Sequence, residues 1–121
     1  MKILLVDDDP DMLLITSMAL EKHGGHEVIS LGSAVEALRC AERDLPDAIV
    51  TDFMMDDLDG LSFLEKLREN AQTMGIPVVF LTGKTDPANV QRLLGLGAKG
   101  VIGKPFDPMR ISEEVDRILA S

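Results

Sequence analysis

The sequence predicts an α/β domain built on a doubly wound, five-stranded parallel sheet of order 2-1-3-4-5. Two observations lead there. Five short apolar runs alternate with five stretches of helical periodicity, the signature of repeated βα units. The runs are apolar throughout rather than alternating, which means burial on both faces and so a parallel sheet with helices on each side. Right-handed crossovers leave few strand orders, and 2-1-3-4-5 is a common one for five strands. At 121 residues the chain has room for one core and one domain, spanning 1–121.

Lys2 to Val6 is the first apolar run, and it ends in Asp7-Asp8-Asp9-Pro10. Asp followed by Pro starts a helix, because Pro presets the backbone and lacks the N–H that would be unsatisfied there. Met12, Leu13, Ile15, Thr16, Ala19 and Leu20 recur at helical spacing until Gly24-Gly25, a C-terminal stop. Glu27 to Leu31 reads as the second strand, and Ser33 caps a helix carrying Val35, Ala37, Leu38 and Ala41 that ends before Pro46. Asp47 to Thr51 is the third strand, followed by a helix from Gly60 to about Asn70 with Leu61, Phe63, Leu64 and Leu67 apolar. Ile76 to Leu81 is the fourth strand, ending in Thr82-Gly83-Lys84. Thr85 or Asp86 caps the fourth helix, which carries Val90, Leu93, Leu94 and Leu96. Val101-Ile102 forms a short fifth strand before Lys104-Pro105, and Asp107-Pro108 starts a last helix striped by Ile111, Val115, Ile118 and Leu119.

Composition narrows the function. Twenty-one acidic residues stand against 12 basic ones, for a net charge of −9, which argues against direct binding to nucleic acid backbones. With no Trp or Tyr and 3% aromatics, the chain also lacks the stacking platforms of single-strand binders. The lone Cys40 rules out an internal disulfide and is expected to pack in the core of a protein from a reducing compartment. The chain begins directly in a strand pattern with no signal peptide, and no apolar run approaches the roughly 20 residues of a membrane span. The expectation is a cytoplasmic protein with no membrane association.

The chemistry-bearing residues cluster at strand ends. Asp7 and Asp8 follow the first strand, Asp52 the third, Thr82 the fourth and Lys104 the fifth. In a 2-1-3-4-5 sheet the first and third strands are neighbours at the point where the winding reverses, and open α/β sheets bind ligands there, outside the carboxyl ends of the strands. Asp52 is thereby a candidate to accept a phosphoryl group. Three carboxylates held together repel one another unless a cation is present. Oxygen ligands without His or Cys point to Mg²⁺. His23 and His26 fall around the Gly-Gly turn at the opposite edge and are expected to face solvent.

Together, Ile3-Leu4-Leu5-Val6-Asp7-Asp8-Asp9-Pro10, Asp52 to Gly60, Leu81-Thr82-Gly83 and Lys104-Pro105-Phe106 resemble the receiver domain of two-component response regulators, over the whole chain and in order. The resemblance implies the flavodoxin-like, CheY-like (βα)5 fold. It implies that Asp52 takes a phosphoryl group from a histidine kinase phosphohistidine, or from a phosphotransfer protein, in a Mg²⁺-dependent reaction. Asp7, Asp8, Asp52 and the backbone carbonyl of Met54 would hold the metal, while Thr82 and Lys104 would bond phosphoryl oxygens. A cis Lys104–Pro105 bond is also implied, as is signalling by conformational change to a downstream protein or fused output domain. Such a domain promotes its own phosphorylation and dephosphorylation but is not an independent turnover enzyme.

The chain departs from the family pattern at two places. Val101 stands where an aromatic switch residue is usual, and Asp56 where Pro is usual. The acidic stretch Asp56-Asp57-Leu58-Asp59 is expected to be a solvated turn, with an altered partner or metal preference as the functional alternative. Lys99-Gly100 replaces the acidic pair through which one subfamily dimerises, so that dimer is not carried over. Two other functions compete with the phosphoacceptor reading. One is a pseudo-receiver that binds partners without phosphorylation. The other is a haloacid-dehalogenase-like phosphatase using Asp7-Asp8-Asp9, which Asp11 at its fifth motif position and the missing later acidic motif count against.

Overall fold

The computed structural model describes residues 1–121. Its elements are β1 (Lys2–Val6), α1 (Pro10–Gly24), β2 (Glu27–Leu31), α2 (Ala34–Asp44), β3 (Ala48–Asp52), α3 (Gly60–Glu69), β4 (Val78–Thr82), α4 (Pro87–Gly95), β5 (Gly100–Gly103) and α5 (Ile111–Ala120). All strand pairs are parallel and lie in the expected order, β2-β1-β3-β4-β5.

The continuous apolar runs have a direct cause. Side chains alternate between sheet faces, and here both faces are covered. Leu4, Val6, Ile49, Val78 and Phe80 point to one side, where Ala37, Cys40, Phe63, Leu64, Leu67 and Leu93 from α2, α3 and α4 meet them. Ile3, Leu5, Val50, Val79 and Leu81 point to the other, against Ala19 and Leu20 of α1 and Ile111 and Val115 of α5. Each large aliphatic side chain buried this way contributes about 1.5–3 kcal/mol. The two edge strands are the less covered ones, β2 along its length and β5 at Val101 and Gly103.

Local chemistry sets most helix starts. The Asp9 carboxylate accepts from the N–H groups of Asp11 and Met12, Ser33 from Glu36, Asp59 from Ser62 and Asp86 from Asn89, so Asp86 rather than Thr85 caps α4. Gly25 closes α1 at φ 66°, the left-handed conformation that glycine adopts without penalty.

Several expectations need correction. The fifth helix begins at Ile111, because Asp107 instead caps a separate turn, its carboxylate accepting from Met109 N–H at 2.9 Å and its carbonyl from Arg110 N–H at 2.9 Å. β4 begins at Val78, after Pro77, which has no N–H to give the sheet. Ile15, Val35, Leu94 and Leu96 lie on exposed faces, whereas Leu93 is fully buried. The His26 side chain is only 7% exposed, tucked against α5 with Nε2 at 2.9 Å from Asp116 Oδ1. No helix is long and apolar enough to cross a membrane.

Candidate functional site

Sheet register assembles the site. Val6 of β1 pairs with Thr51 of β3, so Asp7 and Asp52 follow one another at the same edge on adjacent strands. Asp52 pairs with Leu81, which puts Thr82 one residue further along β4, and Thr82 pairs with Gly103, after which comes Lys104. The Lys104 N–H donates to the Thr82 carbonyl at 2.8 Å. Four consecutive strand ends therefore converge on one crevice, where β1 and β3 diverge in their winding.

Carboxylate oxygens from Asp7, Asp8 and Asp52 lie within 4.8 Å of one another. Asp7 is 1% exposed and Asp52 9%. The Lys104 ammonium sits 3.3 Å from Asp52 Oδ1 and 3.5 Å from Asp7 Oδ2. One ammonium against three carboxylates leaves two negative charges uncompensated. Asp7 Oδ1 accepts from Asp9 N–H at 2.9 Å. Asp7 Oδ2 is buried and, although within ion-pair reach of Lys104, accepts no hydrogen bond. Burial holds the Asp7 carboxyl above its ordinary pKa, and the Asp52 charge adds to this, while the Asp9 N–H and Lys104 oppose it. An all-oxygen donor set with excess negative charge and an orphaned carboxylate oxygen suits a hard divalent cation such as Mg²⁺.

The remaining expected residues flank this cluster. Thr82 is buried, and its hydroxyl oxygen accepts from Lys84 N–H at 3.0 Å, leaving its own hydrogen free to donate. Met54 N–H donates to Asp52 Oδ1 at 3.3 Å, and the Met54 carbonyl accepts no hydrogen bond from the protein. The Lys104–Pro105 bond is cis. Val101 is half-buried, pairs in register with Phe80 and packs on the core beneath α2, α3 and α4. The nearest aromatic arrangement is instead the edge-to-face pair Phe53–Phe80, with ring centres 5.6 Å apart. Gly60 is required beside it, because a Cβ there would lie 2.6 Å from the Phe53 ring and 3.0 Å from the Phe80 ring.

The loop between β3 and α3 exposes Asp56, Asp57 and Asp59, as expected of a solvated acidic turn, but its acidic residues also make specific bonds. Asp59 caps α3, accepting from Ser62 N–H at 2.8 Å. Asp57 crosses to α2, where its carboxylate accepts from the Ser33 hydroxyl at 2.7 Å, Val35 N–H at 3.2 Å and Ala34 N–H at 3.3 Å. The Ser33 hydroxyl and these amides hold the Asp57 carboxyl below its ordinary pKa. Asp56 N–H donates to Asp8 Oδ2 at 3.3 Å. The only sequence signal for Asp57 was its place in an acidic cluster; Ser33 already looked like a sufficient cap. Neither surface cleft, one lined by Ile15, Met18 and Pro108 and the other by Leu31, Arg39 and Arg43, includes Asp7, Asp8, Asp52, Thr82 or Lys104.

Comparison with known proteins points to one family. The family model for the response regulator receiver domain matches residues 3–116. Response regulator Rre1 of Synechocystis is 36% identical over 118 residues, covering 98% of this chain and 51% of the relative. The chain spans about half the length of the first curated relatives it matches. The chemotaxis response regulator CheY4 of Vibrio cholerae superposes with a TM-score of 0.89 at 31% identity, over 97% of each chain. The receiver domain of a sensor histidine kinase from Pseudomonas aeruginosa was solved with a magnesium ion coordinated in its active site cleft. It superposes with a TM-score of 0.86 at 28% identity, over 99% of this chain and 98% of that one.

Proposed function

Because the chain belongs to the response regulator receiver domain family, we propose that residues 1–121 form one receiver domain in which Asp52 accepts a phosphoryl group. The donor is a phosphohistidine on a histidine kinase or phosphotransfer protein. The observation that carries this reading is the Asp52 carboxylate at the sheet's switch point, 3.3 Å from the Lys104 ammonium and within 4.8 Å of the Asp7 and Asp8 carboxylates.

The chemistry follows from these positions. An Asp52 oxygen attacks phosphorus in line, the P–O bond forming as the P–N bond breaks and its electron pair returns to the donor imidazole. Such transfer depends on positioning and on neutralising charge over the equatorial oxygens. Mg²⁺ held by Asp7, Asp8, Asp52 and the Met54 carbonyl would supply part of that neutralisation. Lys104 pairs first with the carboxylate and then with a phosphoryl oxygen. The uncommitted Thr82 hydrogen donates to another, and the Met54 N–H is already aimed at Asp52. Asp7, by contrast, is 1% exposed against 9% for Asp52 and has one oxygen held by the Asp9 N–H, which makes it the poorer acceptor.

The acyl phosphate adds charge and acceptor oxygens at one point, which biases a two-state element toward its active arrangement. The readout is contact with a downstream protein or a fused output domain. The surrounding negative charge does not suit direct nucleic acid binding, and the cytoplasm is the compartment where kinase, Mg²⁺ and receiver meet. Receivers promote their own phosphorylation and dephosphorylation without acting as turnover enzymes.

Acetyl phosphate with Mg²⁺ tests this. Intact-mass spectrometry should show one phosphoryl group, stable to acid and labile to base, and absent from Asp52→Asn. A label that persists in Asp52→Asn and maps to Asp7 would transfer the assignment to the phosphatase-like reading. A wild-type chain that never becomes labelled would establish a pseudo-receiver.

A further inference from the structure

The bonds around the acidic site close into a ring that includes α2. Asp7 N–H donates to the Leu31 carbonyl at 3.1 Å. Gly32 follows against the Asp7 backbone, with room for a Cβ only 3.7 Å from the Asp7 carbonyl oxygen. Ser33, Ala34 and Val35 are then gripped by the Asp57 carboxylate. One residue back, Asp56 N–H is held by Asp8. The first turn of α2 is thus tied to the site from both sides, through Asp7 by backbone and through Asp8 by the loop that also carries Met54. The Ser33 hydroxyl makes the connection continuous, since it donates to Asp57 while accepting from Glu36 N–H at 3.2 Å.

Building on the metal-binding part of the reading above, we propose that Asp57 is a positioning residue that couples cation binding at Asp7, Asp8 and Asp52 to the order of the first turn of α2. The physical reason is competition for one oxygen. Asp8 Oδ2 holds the Asp56 N–H in the metal-free protein, and a cation drawing on that carboxylate changes the grip on Asp56. The adjacent residue is the one that holds α2. By linkage the effect runs both ways, so a firm Asp57 anchor keeps the loop placed for the cation and a loose one weakens binding. With Val101 in place of an aromatic on β5, this ring provides a report of site occupancy on the opposite side of the site from β5.

The test uses Mg²⁺ alone as the probe on the full chain, with amide resonances and hydrogen exchange as readouts. In the wild type, Mg²⁺ saturation should change the exchange rates of the Ala34 and Val35 amides. Asp57→Ala should abolish that response and weaken Mg²⁺ by about tenfold, the scale seen when a residue orienting metal ligands is removed. Asp57→Asn, which keeps an oxygen acceptor, should restore part of both. Asp86→Ala removes an equivalent cap from α4, off the ring, and should leave the Ala34 and Val35 response intact. If Asp57→Ala does not fold, Ser33→Ala carries the same test in weaker form. A folded Asp57→Ala with unchanged Mg²⁺ affinity and an unchanged α2 response overturns the coupling while leaving the metal site standing. A wild type that binds no Mg²⁺ overturns the metal site and the coupling together.

Discussion

Lys104 is the only cation facing two buried carboxylates, and replacing it with Met keeps an unbranched stem one atom shorter while deleting its charge. At 3.3 and 3.5 Å, with an effective dielectric near 20, each carboxylate attracts the ammonium by roughly 5 kcal/mol. Desolvation offsets most of this, and removing one member of a buried pair typically costs about 3–5 kcal/mol. The Lys104 side chain is 24% exposed, so solvent screening lowers the expected loss to about 2–3 kcal/mol. For 121 residues the unfolding entropy is about 0.25 kcal/mol/K, which converts the loss to a Tm drop of about 8–12 °C. Calorimetry in EDTA should show that drop. Mg²⁺ offers the missing positive charge to the same oxygens, so the Mg²⁺-dependent rise in Tm should be larger in Lys104→Met than in the wild type. A variant that melts at or above the wild type in EDTA, or a gap that widens with Mg²⁺, would refute the electrostatic account.

Asp8→Asn acts in the opposite sense: it removes one of the three repelling charges yet keeps an oxygen for the Asp56 N–H, so metal-free stability should rise by about 1 kcal/mol. A lower Tm for Asp8→Asn in EDTA would count against the shared-site geometry. Asp57 gives a pH dependence. Its folded pKa lies below the usual 3.8, so its contribution is fully present above that value and is lost as pH falls through the depressed one. Asp57→Ala should therefore cost about 1 kcal/mol near pH 7, as for a lost helix cap, and its urea midpoint should converge on that of the wild type in strong acid.

The sheet was readable because its strands are buried on both faces: Ile49, Val50, Val78 and Val79 are apolar for opposite layers, in β-branched runs too short for a buried helix. The site was readable because its residues lie next to strand ends, where topology alone brings Asp7, Asp52, Thr82 and Lys104 together. What escaped reading depends on long-range contact. His26 is sequestered by Asp116, ninety positions away in the chain. Asp57 caps a helix to which it does not belong, and no spacing rule connects it to Ser33. Asp107-Pro108 has the sequence of a helix start but makes a turn, which the helix follows three residues later. Leu93 and Leu94 are equally apolar, and only the packing of α4 on the sheet decides that the first is buried and the second is not.

The ring through α2 turns the β3–α3 loop into a ruler. Surface loops usually absorb insertions because only their ends are fixed. Here the stretch from Asp52 to Gly60 is pinned at Met54, Asp56, Asp57 and Asp59. One added residue between Asp52 and Asp56 would carry Asp57 away from Ser33, and one added between Asp57 and Gly60 would push α3 off the Phe53 and Phe80 rings. Side chains that make none of these bonds, such as the exposed Met54, are free to vary in kind. The number of peptide units between them is not.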